Sequence, residues 1–291
     1  MLPTNTIIFG ANGQDGYYLK QICRNKGMNV LTVSRSGSQI QGDVANYALV
    51  ERLVTTHKPI YIFHLAANST TRHKALFENH ATISTGTLNI LEAVKRHSSN
   101  SRVFITGSGV QFKNIGKPIK ETDEFEANSP YSIARIQSVY AARYYRSLGI
   151  KVYVGYLFHH ESPLRKGNHI SKMTTDAIKR IASGSNEKII LGDITVKKEW
   201  AFAGDIAEGI FTLVNQDKIF EACIGTGETY SIQDWLEICF SRINKDWKEY
   251  VNLKEAFLPE YKILVSDPST INSIGWLPKI KFENLCDIML A

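Results

Sequence analysis

Residues Thr6–Gly16 read Thr-Ile-Ile-Phe-Gly-Ala-Asn-Gly-Gln-Asp-Gly, a short apolar, β-favouring run that ends in a turn punctuated by Gly10, Gly13 and Gly16. An amphipathic stretch, Tyr17 to Lys26, follows without a break. That order predicts a buried strand, a tight turn and a helix. Gly10 and Gly13 let backbone approach a ligand with no Cβ in the way, and Gly16 lets the helix pack closely on its strand. The helix N-terminus turns free N–H groups and a partial positive charge toward the turn, an arrangement suited to a pyrophosphate. Glycine spacing alone is a weak signal. Its place after a strand and at the opening of a helix makes dinucleotide binding the expected use.

The rest of the chain is compatible with that reading. Strand-like runs at Asn29–Val33, Tyr61–Ser69 with its exit, Arg102–Thr106 and Lys151–Leu157 alternate with helix-like runs at Tyr47–His57, around Gly86–Val94 and after Asn128. Such alternation predicts an α/β fold, a Rossmann-type doubly wound parallel sheet. Beyond Phe158 the alternation loosens, which predicts a smaller α/β C-terminal lobe over the carboxyl edge of the sheet. The expected division is a dinucleotide-binding domain over 1–157 and a substrate lobe over 158–291, with a segment near 186–214 returning to the first. With 291 residues, 43% of them hydrophobic, the chain can bury a core of that size.

Composition excludes several functions. Net charge is +6, but Lys and Arg form no block of five or more, so small phosphorylated ligands are expected and nucleic acid is not. The four cysteines lack metal-type spacing; they read as reduced thiols, no metal is expected, and a cytoplasmic location is. No apolar run approaches membrane length and no signal region precedes the first strand, so no membrane association is expected.

Cofactor choice is written after the second strand. Enzymes that select NAD usually place an acid there for the ribose 2′-hydroxyl. This chain has Ser34-Arg35-Ser36, suited to a 2′-phosphate, so NADP(H) is expected over NAD(H). Asp43, ahead of the next helix-like run, is placed to cap that helix or to receive the adenine amine. The small residues Ala66 and Ala67, at the end of the strand that carries His64 and Leu65, leave room for a cofactor. His64 itself reads as a packed strand residue.

Several motifs, in order, resemble the extended short-chain dehydrogenase/reductases of the epimerase/dehydratase type, most closely the GDP-mannose 4,6-dehydratase group. They are Gly13-Gln14-Asp15-Gly16-Tyr17-Tyr18-Leu19, His64-Leu65-Ala66-Ala67, Ser129-Pro130-Tyr131, Phe158-His159-His160-Glu161-Ser162-Pro163, Leu191-Gly192-Asp193, Lys197-Lys198-Glu199-Trp200, Gly225-Thr226-Gly227-Glu228 and Gly275-Trp276. The resemblance covers nearly the whole chain. It implies a Rossmann lobe holding NADP(H), a second lobe holding a nucleoside diphosphate sugar, and a homodimer paired through the helices near Leu88 and Tyr140. It adds Asn12, Gln14, Asp15, Val44 and Leu65 to the cofactor contacts. It implies substrate contacts from Ser69, Ser108, His159, His160, Glu161, Lys172, Lys198 and Glu260, with Lys197 or Lys198 at the diphosphate. His159 stands where the family usually has asparagine, and Phe257 near where it tends to have a substrate-touching arginine.

The same resemblance implies the chemistry. A tyrosine exchanges a proton with the sugar hydroxyl while hydride moves to or from the nicotinamide, a lysine four residues on holds the ribose, and a Ser or Thr orients the substrate oxygen. Here the tyrosine is Tyr131, the orienting group is Ser108, and the lysine position holds Arg135. Arginine keeps the charge but is bulkier and forked. The dehydratases also carry a Thr or Asp and a Glu as acid and base for elimination. The matching positions are Gly107 and Gly109, which supply neither. Glu121, Asp123 and Glu124 are the nearby carboxylates. Three functions fit these residues: NADP(H)-dependent 4-keto reduction of a nucleotide sugar, a divergent dehydratase or epimerase, and a regulatory protein that binds both ligands without turnover.

Overall fold

A computed structural model of the protein describes residues 5–166, 169–255 and 257–291. The apolar runs become strands because they are buried on both faces, and the amphipathic runs become the helices that bury them. In chain order the first half comprises β1 (Asn5–Phe9), α1 (Gln14–Asn25), β2 (Asn29–Ser34), β3 (Ile40–Gln41), α2 (Tyr47–His57), β4 (Tyr61–His64), α3 (Leu76–Asn79), α4 (Gly86–His97), β5 (Arg102–Ser108), α5 (Pro130–Ser147) and β6 (Lys151–Leu157). A π-helical stretch, His80–Thr85, joins α3 to α4. The second half comprises β7 (His160–Glu161), α6 (Ile170–Ala182), β8 (Ile189–Leu191), β9 (Lys197–Lys198), β10 (Ala201–Phe202), α7 (Ala203–Val214), β11 (Glu221–Ile224), β12 (Tyr230–Ser231), α8 (Ile232–Ser241), β13 (Val251–Leu253), β14 (Ile263–Leu264), α9 (Ser269–Ser273) and α10 (Phe282–Leu290).

Seven strands form one parallel sheet in the order β11-β6-β5-β4-β1-β2-β3. The order reverses between β1 and β4, and the crevice beyond the strand ends at such a switch point is where ligands bind in open α/β sheets. Ile7, Ile62, Val103 and Val152 pack against Leu53 of α2, Ile90 of α4 and Val139 of α5 on one face. Ile8, Phe63, Phe104 and Tyr153 pack against Leu19 of α1 and Ile206 and Ile210 of α7 on the other. A third core joins α6, α8 and α10 around the stacked pair Trp200–Trp235, with ring centroids 4.6 Å apart.

Three local expectations change. β5 does not end at Thr106: the ladder with β6 continues through Gly107↔Tyr156 to Ser108↔Leu157, so both residues are extended backbone on the cleft floor. β11, from a four-residue segment too short to stand out, completes the sheet beside β6. Asp43 does not cap α2. The cap is Asn46, whose side chain accepts from Leu49 N at 3.1 Å, while Asp43 Oδ1 accepts from Ala45 N at 2.9 Å.

Among the described residues, no helix is long and apolar enough to cross a membrane, and no group of three or more His, Cys, Asp or Glu could hold a metal ion. The four cysteines are free and buried.

Candidate active site

The glycine turn divides its work. Gly10 has φ +87°, and a Cβ there would lie 2.5 Å from Ala66 N, so this glycine serves the close approach of the β4 exit. A Cβ on Gly16 would lie 2.6 Å from Ala11 Cα and from Gly10 O, where helix meets strand. A Cβ on Gly13 would meet only Gly10 O, at 3.5 Å. Gly13 is also the N-cap of α1 and provides no side-chain cap, so the first-turn amides have no side-chain acceptor there. That cradle fits a pyrophosphate.

The flanks of the cradle are cross-tied. Asn12 Nδ2 donates to Ser36 O, Ser38 Oγ donates to Asn12 Oδ1 at 2.9 Å, and Ser34 Oγ donates to Ser36 O at 2.6 Å. Arg35 is largely exposed, and its Nη2 lies 2.9 Å from Glu78 Oε1. Val44 is buried, with its carbonyl accepting from Asn89 Nδ2 at 3.0 Å. Leu65 and Ala67 line the cleft beyond β4, and Ala66 backs Gly10. His64 is fully buried, and burial lowers its pKa to about 4, as a neutral packed residue.

The reacting end is built on the start of α5. Pro130 occupies a first-turn position that needs no donor, and Ser129 caps the helix, its Oγ accepting from Ser132 N at 3.1 Å. Tyr131 therefore has a fixed place, and position 135 lies one turn along the same face. Arg135 is 2% exposed; its Nη2 donates to Tyr131 Oη at 3.1 Å and its Nη1 to Thr106 O at 2.5 Å. The guanidinium carbon lies 5.0 Å from the tyrosine ring centre. Ser108 borders the same cleft, with its amide donating to Gln111 Oε1 at 2.9 Å and its Oγ accepting from the Gln111 amide. The hydroxyl proton of Ser108 is thereby left to serve a ligand.

The space beside the two glycines is filled. A Cβ on Gly107 would lie 2.5 Å from Tyr156 Cδ1, and one on Gly109 would lie 2.7 Å from Phe158 Cε1. None of the three nearby carboxylates lines the cleft. Glu121 binds Thr270 Oγ1, Asp123 Oδ2 accepts from Lys120 N at 2.9 Å, and Glu124 pairs with Lys113 at 3.3 Å.

The cleft, about 730 Å³, runs from Asp15 and Ala67 past Tyr131 to Lys198 and Tyr261. Arg72, Lys74, Arg135, Arg165 and Lys198 line it against two carboxylates, Asp15 and Glu260, an excess that suits an anionic ligand. Ser69, His159 and His160 line it too. Lys198, not Lys197, is the buried member of the pair; its Nζ lies 2.9 Å from His159 Nε2, and burial lowers its pKa to about 8. His159 Nδ1 lies 2.8 Å from Glu199 O, and burial with the Lys198 charge brings its pKa to about 4. Glu161 lies fully buried behind them, 2.8 Å from His159 and 3.4 Å from Arg165. Burial opposes its charge, but His159, Arg165 and Lys198 outweigh that and hold the carboxyl well below its ordinary range.

His160 ties the two ligand regions together. Its Nε2 lies 2.8 Å from Asp15 Oδ1, its Nδ1 donates to Phe158 O at 2.7 Å, and its carbonyl accepts from Gln14 Nε2 at 3.2 Å. Burial opposes charge on the ring, but Asp15 prevails and raises its pKa above 6.5. Glu260 lines the cleft with its Oε1 accepting from Thr71 Oγ1 at 2.5 Å. Lys172 is not brought in: it pairs with Asp176 one helical turn on. Arg72, Lys74 and His169 also line the cleft, and nothing in their local sequence marks them; Arg165 lines it too, two residues beyond the Phe158–Pro163 motif.

The family model described as GDP-mannose 4,6 dehydratase matches residues 7–289. GDP-mannose 4,6 dehydratase 1 of Arabidopsis thaliana is 29% identical over 98% of this chain and 88% of its own length. RMD from Pseudomonas aeruginosa, solved with NADPH, superposes with a TM-score of 0.88 at 16% identity, covering 99% of this chain and 97% of that one. UDP-glucose 4-epimerase of Thermotoga maritima, solved with UDP-glucose, gives 0.86 at 18% identity, covering 99% and 97%. The fold is that of the extended epimerase/dehydratase type, and the chain belongs to the GDP-mannose 4,6 dehydratase family.

Proposed function

We propose that the protein is an NADP(H)-dependent oxidoreductase of a nucleoside diphosphate sugar, a GDP-sugar by family, and that its reaction is reduction of a 4-keto group. The observation that carries this reading is the contrast at the reacting end. Tyr131 and Arg135 are assembled 3.1 Å apart, while the acid and base positions of elimination are glycines whose side-chain space Tyr156 and Phe158 occupy. Reduction needs a proton donor at the carbonyl oxygen and no second acid–base pair.

The Gly13 cradle and the Ser34-Arg35-Ser36 edge fit the nucleotide, and Gly10, Asn12, Gln14, Asp15, Gly16, Asp43, Val44, Leu65, Ala66 and Ala67 surround it. When bound, NADPH supplies the hydride. Tyr131 gives its phenolic proton to the carbonyl oxygen. Arg135 favours the charge that develops on Tyr131 as the proton leaves. Ser108 donates to the same carbonyl oxygen and fixes the direction of attack. Lys198 and Arg165 bind the diphosphate by charge-assisted hydrogen bonds, with His159, His160, Ser69 and Glu260 orienting the remainder of the substrate. In this reading residues 1–157 form the nucleotide domain, with α7 and β11 returning to it, and 158–291 form the sugar-nucleotide lobe. Leu88, Tyr140 and Tyr144 are exposed on α4 and α5 and suit a homodimer contact. The protein would work in the cytoplasm, where nucleotide sugars are made.

The test is to incubate purified protein with GDP-mannose and NADP⁺, and separately with a 4-keto-6-deoxy sugar nucleotide and NADPH. Consumption of NADPH in the second tube with no 4-keto product in the first is expected. The opposite pattern assigns a dehydratase. Silence in both, with tight binding of both ligands, assigns the non-catalytic binder that Arg135 also permits.

A further inference from the structure

Arg35 does not stand alone at the end of β2. Its Nη2 is 2.9 Å from Glu78 Oε1, and the other carboxylate oxygen of Glu78 accepts from Asn68 Nδ2 at 2.7 Å. Three elements meet here: Arg35 follows the second strand, Asn68 lies on the exit of β4, and Glu78 sits on α3. Hydrogen bonds from Arg35 and then Asn68 hold the Glu78 carboxyl below its ordinary value, so it is charged at neutral pH. The sequence around Ser34-Arg35-Ser36 contains no acid, yet the fold brings one to Arg35 from more than forty positions away.

We infer that Glu78 is a specificity-determining residue of the nucleotide site, which tempers the preference for a 2′-phosphate and lets the site also accept a 2′-hydroxyl. The inference rests on the reading of Arg35 as the 2′-phosphate receptor. A ribose hydroxyl is a donor, and a carboxylate is the group that usually receives it. Glu78 offers that carboxylate, already aimed by Asn68. A 2′-phosphate must take the same guanidinium from Glu78 or share it, and it is repelled by the carboxylate while doing so. The site thus carries one cation and one anion where a strict NADP site carries cations alone. Both partners are partly exposed, with side chains 59% and 39% accessible, so the interaction is screened and the effect moderate.

The experiment measures dissociation constants of NADPH and NADH for the full-length protein, and for E78Q and R35A, by quenching of intrinsic fluorescence at low and at moderate salt. E78Q keeps the shape and the amide can still meet Asn68, so folding is retained; circular dichroism and an unchanged melting temperature check this. In E78Q, NADPH should bind about five- to tenfold more tightly. NADH should bind no more tightly, and the gain for NADPH should shrink as salt rises. A merely structural role would move both cofactors together. An unchanged NADPH-to-NADH ratio in E78Q, with R35A shifting the ratio, overturns this inference and leaves the NADP reading intact. An R35A variant that shifts neither cofactor overturns the NADP reading itself.

Discussion

Gly109→Ala tests whether the glutamate position of elimination has been closed by packing. The added methyl would sit 2.7, 2.9 and 3.0 Å from three ring carbons of Phe158, whereas ordinary contact begins at 3.4 Å. Phe158 is 3% exposed within the core beneath α5, so its ring has little room to turn away. Overpacking of this kind costs about 1–3 kcal/mol. For a chain of this size that is a melting temperature lower by roughly 2–5 °C. Phe158→Leu removes the ring edge and by itself costs roughly 1–2 kcal/mol. In the double variant the methyl added at position 109 occupies the vacated space, so the combined cost should fall below the sum by about 1–2 kcal/mol. Denaturant unfolding of the four proteins, followed by fluorescence and circular dichroism, gives the cycle. Strict additivity, or a neutral Gly109→Ala, would refute the steric argument. The functional corollary is that Gly109→Glu alone does not confer elimination on GDP-mannose; a measurable 4-keto product from that variant would show the space to be available after all.

Other perturbations probe the remaining parts. Gly13→Val should abolish NADPH binding while leaving the thermal transition in place, since a branched side chain would fill the cradle; retained affinity by titration would place the cofactor elsewhere. Tyr131→Phe should stop keto reduction with little change in NADPH affinity, and Arg135→Lys should keep or raise the rate, because the ammonium is a more compact donor; steady-state kinetics with NADPH read both. His160 has a raised pKa, so the stability from its pairing with Asp15 is fully present below its ordinary value of 6.5 and is lost as pH rises through the raised value. Asp15 has a lowered pKa, so its share is present above 3.8 and is lost as pH falls through the lowered value. His160→Gln should therefore flatten the fall in melting temperature above pH 6.5, and an unaltered pH profile would deny the pairing any energetic role.

Parts of the fold governed by local pattern were legible. The strand-turn-helix at Thr6–Gly16 and the bounds of α2 and β6 follow from period and glycine placement, and the structure has them where the pattern puts them. β11 has only four residues and derives its burial from β6, so no local signal marks it. Asp43 and Asn46 compete for one cap, and only the backbone turn decides for Asn46. In the site, positions carried by motifs were legible: Tyr131, Arg135, Ser108 and Lys198 all border the cleft. Lys172 was not, because Asp176, one helical turn on, takes its ammonium. Arg72, Lys74 and Glu78 come from the segment after β4, whose composition resembles any solvated loop. What they face is set by long-range packing, which spacing does not encode.

The departures at the reacting end are not independent of one another. Gly107 is matched to Tyr156, whose hydroxyl is anchored on Glu221 Oε2 at 2.6 Å, and Gly109 is matched to Phe158. Phe158 leads directly into His159, and His159 holds Lys198 Nζ at 2.9 Å. Arg135, the other departure, reaches Thr106 O immediately before Gly107. The glycines and the rings that face them are fitted to one another across β5 and β6, and Arg135 reaches both the tyrosine hydroxyl and a strand carbonyl. On the proposed reading, that fit leaves Tyr131 as the proton donor at the carbonyl and no room beside it for a second acid–base pair.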